Sequence, residues 1–533
     1  MIASELKADE AVLASLGYKQ EFKRDFRAIE IFGLSFSVIG LVPSIASVLV
    51  YAVPYGGPFA MVWGWAITSV FLVFVALAIA ELGSSMPTSG GVYYWTYHLS
   101  SPRYRTVLAW LVGYVNTLSY IAGIAGVDWS CAVEIMAAVS IGSNQTFSAT
   151  TAQTYGLFIA IVVLHCTLVS MSTKFLARLQ SFGVFLNIAL VLIFIIGIPI
   201  ATPVEFKNPA SYAFGHFETF FDWPNGFALI LSFLAPLWTV SGFDATVHVS
   251  EEARNAKTAV PWGILCSIIT GCVLGWIVNV VLALNMGTDL AGILSSPIEQ
   301  PMATILLNSF GKSGTLVIWS FLILGQSGKV IISSRQNFAF SRDGAFPFST
   351  NLYRLNKSMT SPVYSVWVAG FMGALLGLLV FAGRTASTAL FSLAVIGQYT
   401  SISIPIAARF FGGQNFKPGP FTLGRLSLPV AAVAIAWMIF MLIVLLFPAS
   451  STVSGAGDMN YSVVVYGGIV SLALAYFYFP KYGGAHWFRG PVTTVMIDSG
   501  NYGKEHELGI STPTGSAGVP GEIESLQEDQ LLI

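Results

Sequence analysis

Apolar runs of about twenty residues, the length of helix that a bilayer's hydrocarbon core requires, recur along this chain with short polar stretches between them. They predict twelve spans, near 31–52, 59–80, 106–137, 155–171, 181–200, 225–247, 259–284, 314–340, 362–382, 386–408, 428–447 and 461–480. The run at 155–171 is the shortest, and the third and eighth are long enough to tilt. The pattern describes an all-α polytopic membrane protein, with the lipid bilayer as its surroundings. Residues 1–30 read as a polar amino-terminal tail, 31–480 as the twelve-span body and 481–533 as a carboxyl-terminal tail. From about Gly490 that tail is rich in Gly, Ser, Thr and acidic residues, the composition of a largely disordered segment. It reads either as a trafficking or turnover signal or as a solvated end.

Two of the runs are interrupted. Ser241-Gly242-Phe243-Asp244 breaks the sixth, with Glu251 and Glu252 close behind, and Ile39-Gly40-Leu41-Val42-Pro43-Ser44 weakens the first. An unpaired backbone amide costs several kcal/mol in hydrocarbon, so irregular backbone survives at that depth only where protein encloses it. Matching interruptions in two halves of a membrane bundle point to a solute site, so these breaks predict a solute carrier.

Composition agrees with the pattern and excludes several alternatives. The chain is 55% hydrophobic and 10% charged, with a mean hydropathy of +0.73, whereas soluble domains run near 25% charged. A net charge of −1 gives no footprint for nucleic acid. Cys131, Cys166, Cys266 and Cys272 all fall inside apolar spans and read as small buried hydrophobes. No HExxH, P-loop, GxSxG or paired-cysteine pattern occurs, so neither an enzyme nor an ATP-driven pump is expected, and no cofactor. The first thirty residues contain no apolar stretch of the kind a cleaved signal peptide needs.

Charge placement predicts the orientation. With the amino terminus inside, 20 of the 25 Lys and Arg residues fall on the cytoplasmic side, and only Lys207, Lys312 and Arg384 fall outside. This is a strong positive-inside bias, and it places both termini in the cytoplasm. Asn144-Gln145-Thr146 and Asn460-Tyr461-Ser462 are sequons in predicted outer loops, so Asn144 and Asn460 are candidate glycosylation sites; Asn356-Lys357-Ser358 falls inside.

Several stretches together resemble amino acid–polyamine–organocation permeases. They are Ala80-Glu81-Leu82 through Pro87-Thr88-Ser89-Gly90-Gly91-Val92-Tyr93-Tyr94-Trp95, the Ser241–Asp244 break with Ser250-Glu251-Glu252-Ala253 and Pro261, and Phe338 to Pro347. Gly419-Pro420-Phe421-Thr422-Leu423-Gly424-Arg425 and Trp487-Phe488-Arg489-Gly490-Pro491 resemble the fungal amino acid/choline/GABA branch. The resemblance covers roughly residues 25–495. It implies two inverted five-helix repeats plus two further helices, with spans 1 and 6 unwound around a midplane site and inward transport driven by a proton or sodium gradient.

The candidate substrate residues are Gly40, Leu41, Val42, Pro43 and Ser44 with Ser241, Gly242 and Phe243. A broken helix points a half-helix amino end, with its partial positive charge and free N–H groups, at an anionic group. Trp238 matches an aromatic position of related carriers that closes over substrate, or else it packs in the core. Asp244 aligns with a family acid and reads either as a proton-sensitive gating group or as a structural ion pair near the inner gate. Asp128, in the outer half of the third span, reads either as a partner for a cationic head beside Tyr120 and Trp129 or as an acid in a watery outer vestibule. Glu134, nearer the surface, reads as solvated. Lys329 departs from the family pattern: with Ser333 nearby it reads as a replacement for a bound cation, as an anion-binding group, or as half of a structural pair, and it argues against sodium coupling there. Gln398 and Tyr399 read as outer gating or packing residues, His165 as buried, and His248 as titratable near the inner gate.

The expectation is a secondary active importer, most simply of a zwitterion such as an amino acid or GABA, by proton symport at the plasma membrane. Choline or polyamine transport, and a nutrient receptor that binds without transporting, are the alternatives.

Overall fold

In the computed structural model the described residues are 2–20, 24, 26–171, 173–326, 340–346, 349–353, 362–453 and 455–493, all within one compact unit, Met1–Thr494. Lys329 and Ser333 lie outside them. Among the described residues ten helices are long and apolar enough to cross a membrane: Ala28–Ala52, Gly57–Ser85, Arg105–Gly142, Thr151–Val169, Arg178–Ala201, Ala256–Leu284, Pro301–Gln326, Val363–Ala382, Ala386–Phe411 and Gly424–Val444. Two shorter apolar helices, Asn225–Thr239 and Ser462–Phe477, occupy the sixth and twelfth positions. The chain is thus an all-α polytopic membrane protein. Its two interrupted spans, the first and the sixth, stand five spans apart, as a five-plus-five arrangement with two added helices requires.

Large apolar side chains dominate the outward faces of the spans. On the fifth span Phe182, Phe185, Ile188, Leu192, Ile196 and Ile200 form an exposed stripe at helical spacing. A stripe of this kind is a liability in water and a lipid contact in a bilayer. The first span, by contrast, is almost wholly buried, so its break at Gly40 is enclosed by protein.

Small residues bring the helices together. The seventh span packs on the second and on the Ala28–Ile39 half of the first, while the third packs on the tenth, fourth, eighth and ninth. Gly397 of the tenth span leaves room for the Val115 carbonyl and Ser119 of the third, and Ser119 Oγ donates to the Ala394 carbonyl at 2.6 Å. Close backbone approach through small and hydroxyl residues is how helices associate where lipid removes the hydrophobic driving force.

A short helix from Pro301 precedes the eighth span, and Gly311 (φ 67°, ψ −178°) separates the two at a kink, so the span itself starts close to the predicted 314. Two expectations are corrected here. Residues 481–493 are packed and not tail: Trp487 and Phe488 set their rings on Trp110 at 5.5 and 5.1 Å. The amino-terminal stretch forms a helix, Ile2–Ser15, and is bonded to the loop after the sixth span. Asp9 accepts from the Asn255 and Ala256 N–H groups (2.7 and 3.3 Å), capping the seventh span. Arg24 donates to the Ala253 carbonyl at 2.6 Å, and Phe26 N–H to the Glu252 carbonyl at 3.1 Å.

The Ala80-Glu81-Leu82 and Gly419–Arg425 motifs are two sides of one clamp. Glu81, fully buried at the end of the second span, accepts a bidentate pair from Arg409 of the tenth. It also accepts bonds from Thr422 Oγ1 (2.9 Å), Leu423 N–H (3.1 Å) and Ser427 Oγ (2.7 Å). The Arg409 guanidinium lies 3.9 Å from the Phe416 ring centroid. Glu81 thus ties the tenth span, the Thr422–Leu423 loop and Ser427 to one buried carboxylate, so the clamp fixes the loop before the eleventh span. Glu81→Ala leaves the largely buried Arg409 uncompensated and is expected to destabilise the protein by roughly 3–5 kcal/mol. Thermal unfolding in detergent checks this, and an unchanged midpoint refutes it.

Candidate functional site

At the first break Gly40 takes a left-handed conformation (φ 49°, ψ 61°), which a residue with a Cβ adopts only under strain. It ends the helix Ala28–Ile39 and starts Leu41–Ala52. Ser44 Oγ donates to the Ile39 carbonyl at 2.6 Å, pairing an acceptor that the break would otherwise orphan. Leu41 and Val42 sit in the first turn of the new twelve-residue helix with no side-chain cap. Their N–H groups therefore stand at its positive end without intrahelical acceptors. Pro43, which has no N–H, suits that turn.

The sixth span stops at Thr239 and resumes at Ala245, with Gly242 left-handed (φ 82°) between. Ser241 and Gly242 keep part of their surface open, whereas Gly40 to Ser44 and Phe243 are buried. The helix after this break, Ala245–His248, is one turn long, so its dipole is weak. The expected pair of anion-facing ends is therefore unequal: the first break supplies a full half-helix, and the sixth supplies mainly irregular backbone.

Trp238 locks the two broken spans together. Its Nε1 donates to Ser47 Oγ at 3.3 Å, and its ring meets Phe391 of the tenth span edge-on at 4.7 Å. Gly126 of the third span makes this possible, since a Cβ there would fall 2.7 Å from the ring. Phe391 in turn packs on Tyr51 at 5.2 Å. Tyr51 lines a cavity of about 500 Å³ with Tyr55, Phe221, Leu294 and Thr388. The cavity thus ends on an aromatic layer directly above the breaks.

Asp244 is held from two other spans. Its Oδ2 accepts from Tyr120 of the third at 2.9 Å, and its Oδ1 accepts from Gln398 Nε2 of the tenth at 2.8 Å. Gln398 is therefore bonded to the acid at the sixth break. Below it, His248 Nδ1 lies 2.8 Å from the Ser89 carbonyl. Ser89 donates its N–H and Oγ to Glu251 Oε1 (3.0 and 2.5 Å), and Glu251 Oε2 lies 3.5 Å from Arg342. The Arg342 guanidinium stacks 4.0 Å over Tyr18, whose hydroxyl donates to Asp343 at 3.3 Å. Asp343 also accepts from Val492 N–H at 3.0 Å. This chain of contacts seals the face that carries the amino-terminal helix.

Asp128 is in neither expected setting. It is fully buried and pairs with His165 Nδ1 of the fourth span at 2.6 Å. Its supposed aromatic neighbours are engaged elsewhere, Tyr120 with Asp244 and Trp129 edge-on against Phe158. No contact among the described residues joins Asp128 to the breaks. Glu134 is likewise buried, because the third helix runs on to Gly142 and places it deeper than the hydropathy boundary suggested. It accepts from Gln326 Nε2 at 3.2 Å, and the same amide donates to the Pro43 carbonyl at 3.0 Å. Gln326, Ser47 and Phe391 were not among the sequence candidates, and Tyr120 was named only as an aromatic neighbour of Asp128. Gln326 and Tyr120 carried the same signal as Asp244, a polar group inside an apolar run.

The sequons differ. Asn144 is exposed, and its Oδ1 accepts from Lys312 Nζ at 2.8 Å. Asn460 donates its side-chain amide to the Leu445 and Phe447 carbonyls (2.9 and 2.7 Å), bonds a glycan would have to break.

The family described as amino acid permease matches residues 29–469. An uncharacterized amino-acid permease of Schizosaccharomyces pombe is 37% identical over 492 residues, covering 91% of this chain and 90% of the relative. A GABA-specific permease of Saccharomyces cerevisiae is 36% identical over 502 residues, covering 92% and 87%. Amino-acid permease 2 of Neurospora crassa is 30% identical over 520 residues, covering 96% and 93%.

Burial pushes the Asp343 carboxyl up to about 8, against the lowering effect of its bonds from Val492 and Tyr18. A carboxyl raised above its unfolded value favours the folded state only while protonated, so its contribution falls as pH rises from about 4 through about 8. Asp343→Asn, uncharged at every pH, is expected to flatten the decline in thermal stability between pH 6 and 9. An unchanged pH profile refutes this.

Proposed function

Because this chain belongs to the amino acid permease family, we propose that it imports an amino acid or GABA across the plasma membrane by alternating access coupled to a proton. The observation that carries the reading is the first break. The Leu41 and Val42 N–H groups at the positive end of a buried half-helix suit a carboxylate. The open backbone at Ser241 and Gly242 offers carbonyl groups for an amine. A zwitterion satisfies both. With Asp128 occupied by His165, amine recognition rests on that backbone, which leaves less for a free choline or polyamine head. The GABA-specific permease among the relatives makes GABA a first substrate to try.

Alternating access needs only that solute and proton stabilise the two facing states differently. The structure has a cavity on one face and contacts sealing the other, an arrangement that suits the outward-open side of such a cycle. Asp244 is the proposed gating group; Lys329 and Ser333 are proposed for coupling from the sequence alone. The crowding of Lys and Arg on the sealed side supports placing it, with both termini, in the cytoplasm.

Uptake of labelled GABA, a neutral amino acid, choline and spermidine into cells lacking their own permeases tests the reading. Saturable GABA or amino acid uptake that a protonophore abolishes is expected, with the methyl ester of the substrate failing to compete. Uptake of choline or spermidine alone, or uptake indifferent to the protonophore, would overturn it. For orientation, Asn144→Gln is expected to remove a glycan mass shift on gels and Asn460→Gln to remove none. A full-length protein at the cell surface with no shift at Asn144 counts against the proposed outer face.

A further inference from the structure

We propose that His248 Nε2 is the site that takes up and releases the transported proton; this rests on the proton-symport reading above. A carbonyl oxygen can only accept, so the 2.8 Å contact between His248 Nδ1 and the Ser89 carbonyl puts the ring hydrogen on Nδ1. Nε2 then carries a lone pair. It is completely buried and has no hydrogen-bond partner among the described residues, and it faces Asp244 Oδ2 at 3.9 Å, too far for a bond. A basic nitrogen held by its other side, with a carboxylate one short movement away, is a vacant place for a proton.

The surroundings say what a proton would change. Asp244 comes from the same helical turn, and Tyr120 of the third span stands edge-on to the imidazole at 5.5 Å. Glu251 and Glu252 follow in the next turn, Glu251 engaged with Ser89 and Arg342. Gly91 keeps room beside the ring, where a Cβ would lie 3.3 Å from His248. The first and seventh spans meet this turn at Thr246, through Ile31 and Gly263. When Nε2 gains a proton, both ring nitrogens donate, Nδ1–H still to Ser89 and Nε2–H to Asp244 Oδ2. That oxygen is the one Tyr120 now holds. Protonation therefore turns Asp244 from the third span toward its own turn and loosens the sixth-span break from the helices around it. Release of the same proton breaks the Nε2–H bond to Asp244 and restores the Tyr120 bond, while the Nδ1–H bond to Ser89 persists in both states. The other buried acid–imidazole contact, Asp128 with His165, is already closed at 2.6 Å between two unbroken helices, so a proton there changes no tie at the breaks.

Accumulation of labelled substrate (GABA, or whichever amino acid the wild type takes up) against its gradient, compared with counterflow exchange in the same vesicles, tests this with full-length protein. In His248→Asn, whose amide still reaches Ser89 but cannot accept the proton, accumulation should fall at least tenfold relative to exchange. Tyr120→Phe, which frees Asp244 Oδ2, should move the alkaline limb of the uptake profile upward by roughly one pH unit, the size of one hydrogen bond to a charged group. Should His248→Asn fail to reach the membrane, the Tyr120→Phe shift decides alone. Unchanged accumulation and pH profile in His248→Asn, an unshifted profile in Tyr120→Phe, or loss of coupling only in His165→Gln would overturn the inference while leaving symport standing. Wild-type uptake without protonophore sensitivity would remove both.

Discussion

A backbone amide in hydrocarbon must find a partner, and the centre of this protein is organised by that requirement. Among the described residues most spans meet it by staying helical at depth, whereas the first and sixth break at Gly40 and Gly242. Their exposed polar groups are handled one at a time: Ser44 on the Ile39 carbonyl, Gln326 on the Pro43 carbonyl, Ser241 Oγ on the Trp238 carbonyl. The breaks are tolerable because the first span is the most enclosed element of the bundle. The N–H groups of Leu41 and Val42 stand in the first turn of the new half-helix, where no intrahelical acceptor reaches them.

Buried charge is bound by the same requirement more severely, since an unpaired ion is harder to desolvate than an unpaired amide. Three carboxylates meet it differently. Glu81 is saturated by donors from three segments, so its motif records architecture. Asp128 has one close partner on a neighbouring unbroken helix. Asp244 takes its partners from the third and tenth spans while sitting at the start of a single helical turn. Only there would a change of protonation alter how a broken span is tied to the rest. A buried pair is weak evidence for stability in general; what separates these three is whether the partners stand on elements able to move.

The two faces are sealed by different chemistry. Toward the cavity the closure is aromatic, Trp238 on Phe391 on Tyr51, rings that part without leaving a charge unpaired. Toward the amino-terminal helix it is polar and charged, running from His248 through Glu251 and Arg342 to Asp343. Opening that face means breaking or transferring ionic contacts in a poorly hydrated setting. A bound ion or solute that stabilises the alternative arrangement therefore has leverage on the equilibrium.

Hydropathy and composition by themselves determined the class of molecule, twelve apolar elements, their breaks at Gly40 and Gly242, and the absence of enzyme motifs, because the length and polarity that a bilayer demands are local properties of the chain. The break from Gly40 to Ser44 was legible for the same reason, whereas Trp238 was singled out only by the resemblance to related carriers. Partners were not. Nothing local to Asp128 says that His165 lies 2.6 Å away, or that Tyr120, eight positions earlier, serves Asp244 instead. Glu134 looked solvated because hydropathy places a boundary where the polarity changes, while the helix itself continues. The carboxyl-terminal residues to Val492 looked like tail because polarity is all that sequence reports of them, and their aromatic packing on Trp110 depends on residues hundreds of positions away. Which buried group meets which, and therefore which acid is architecture and which can act as a switch, is set by long-range packing, and only the tertiary structure decided it.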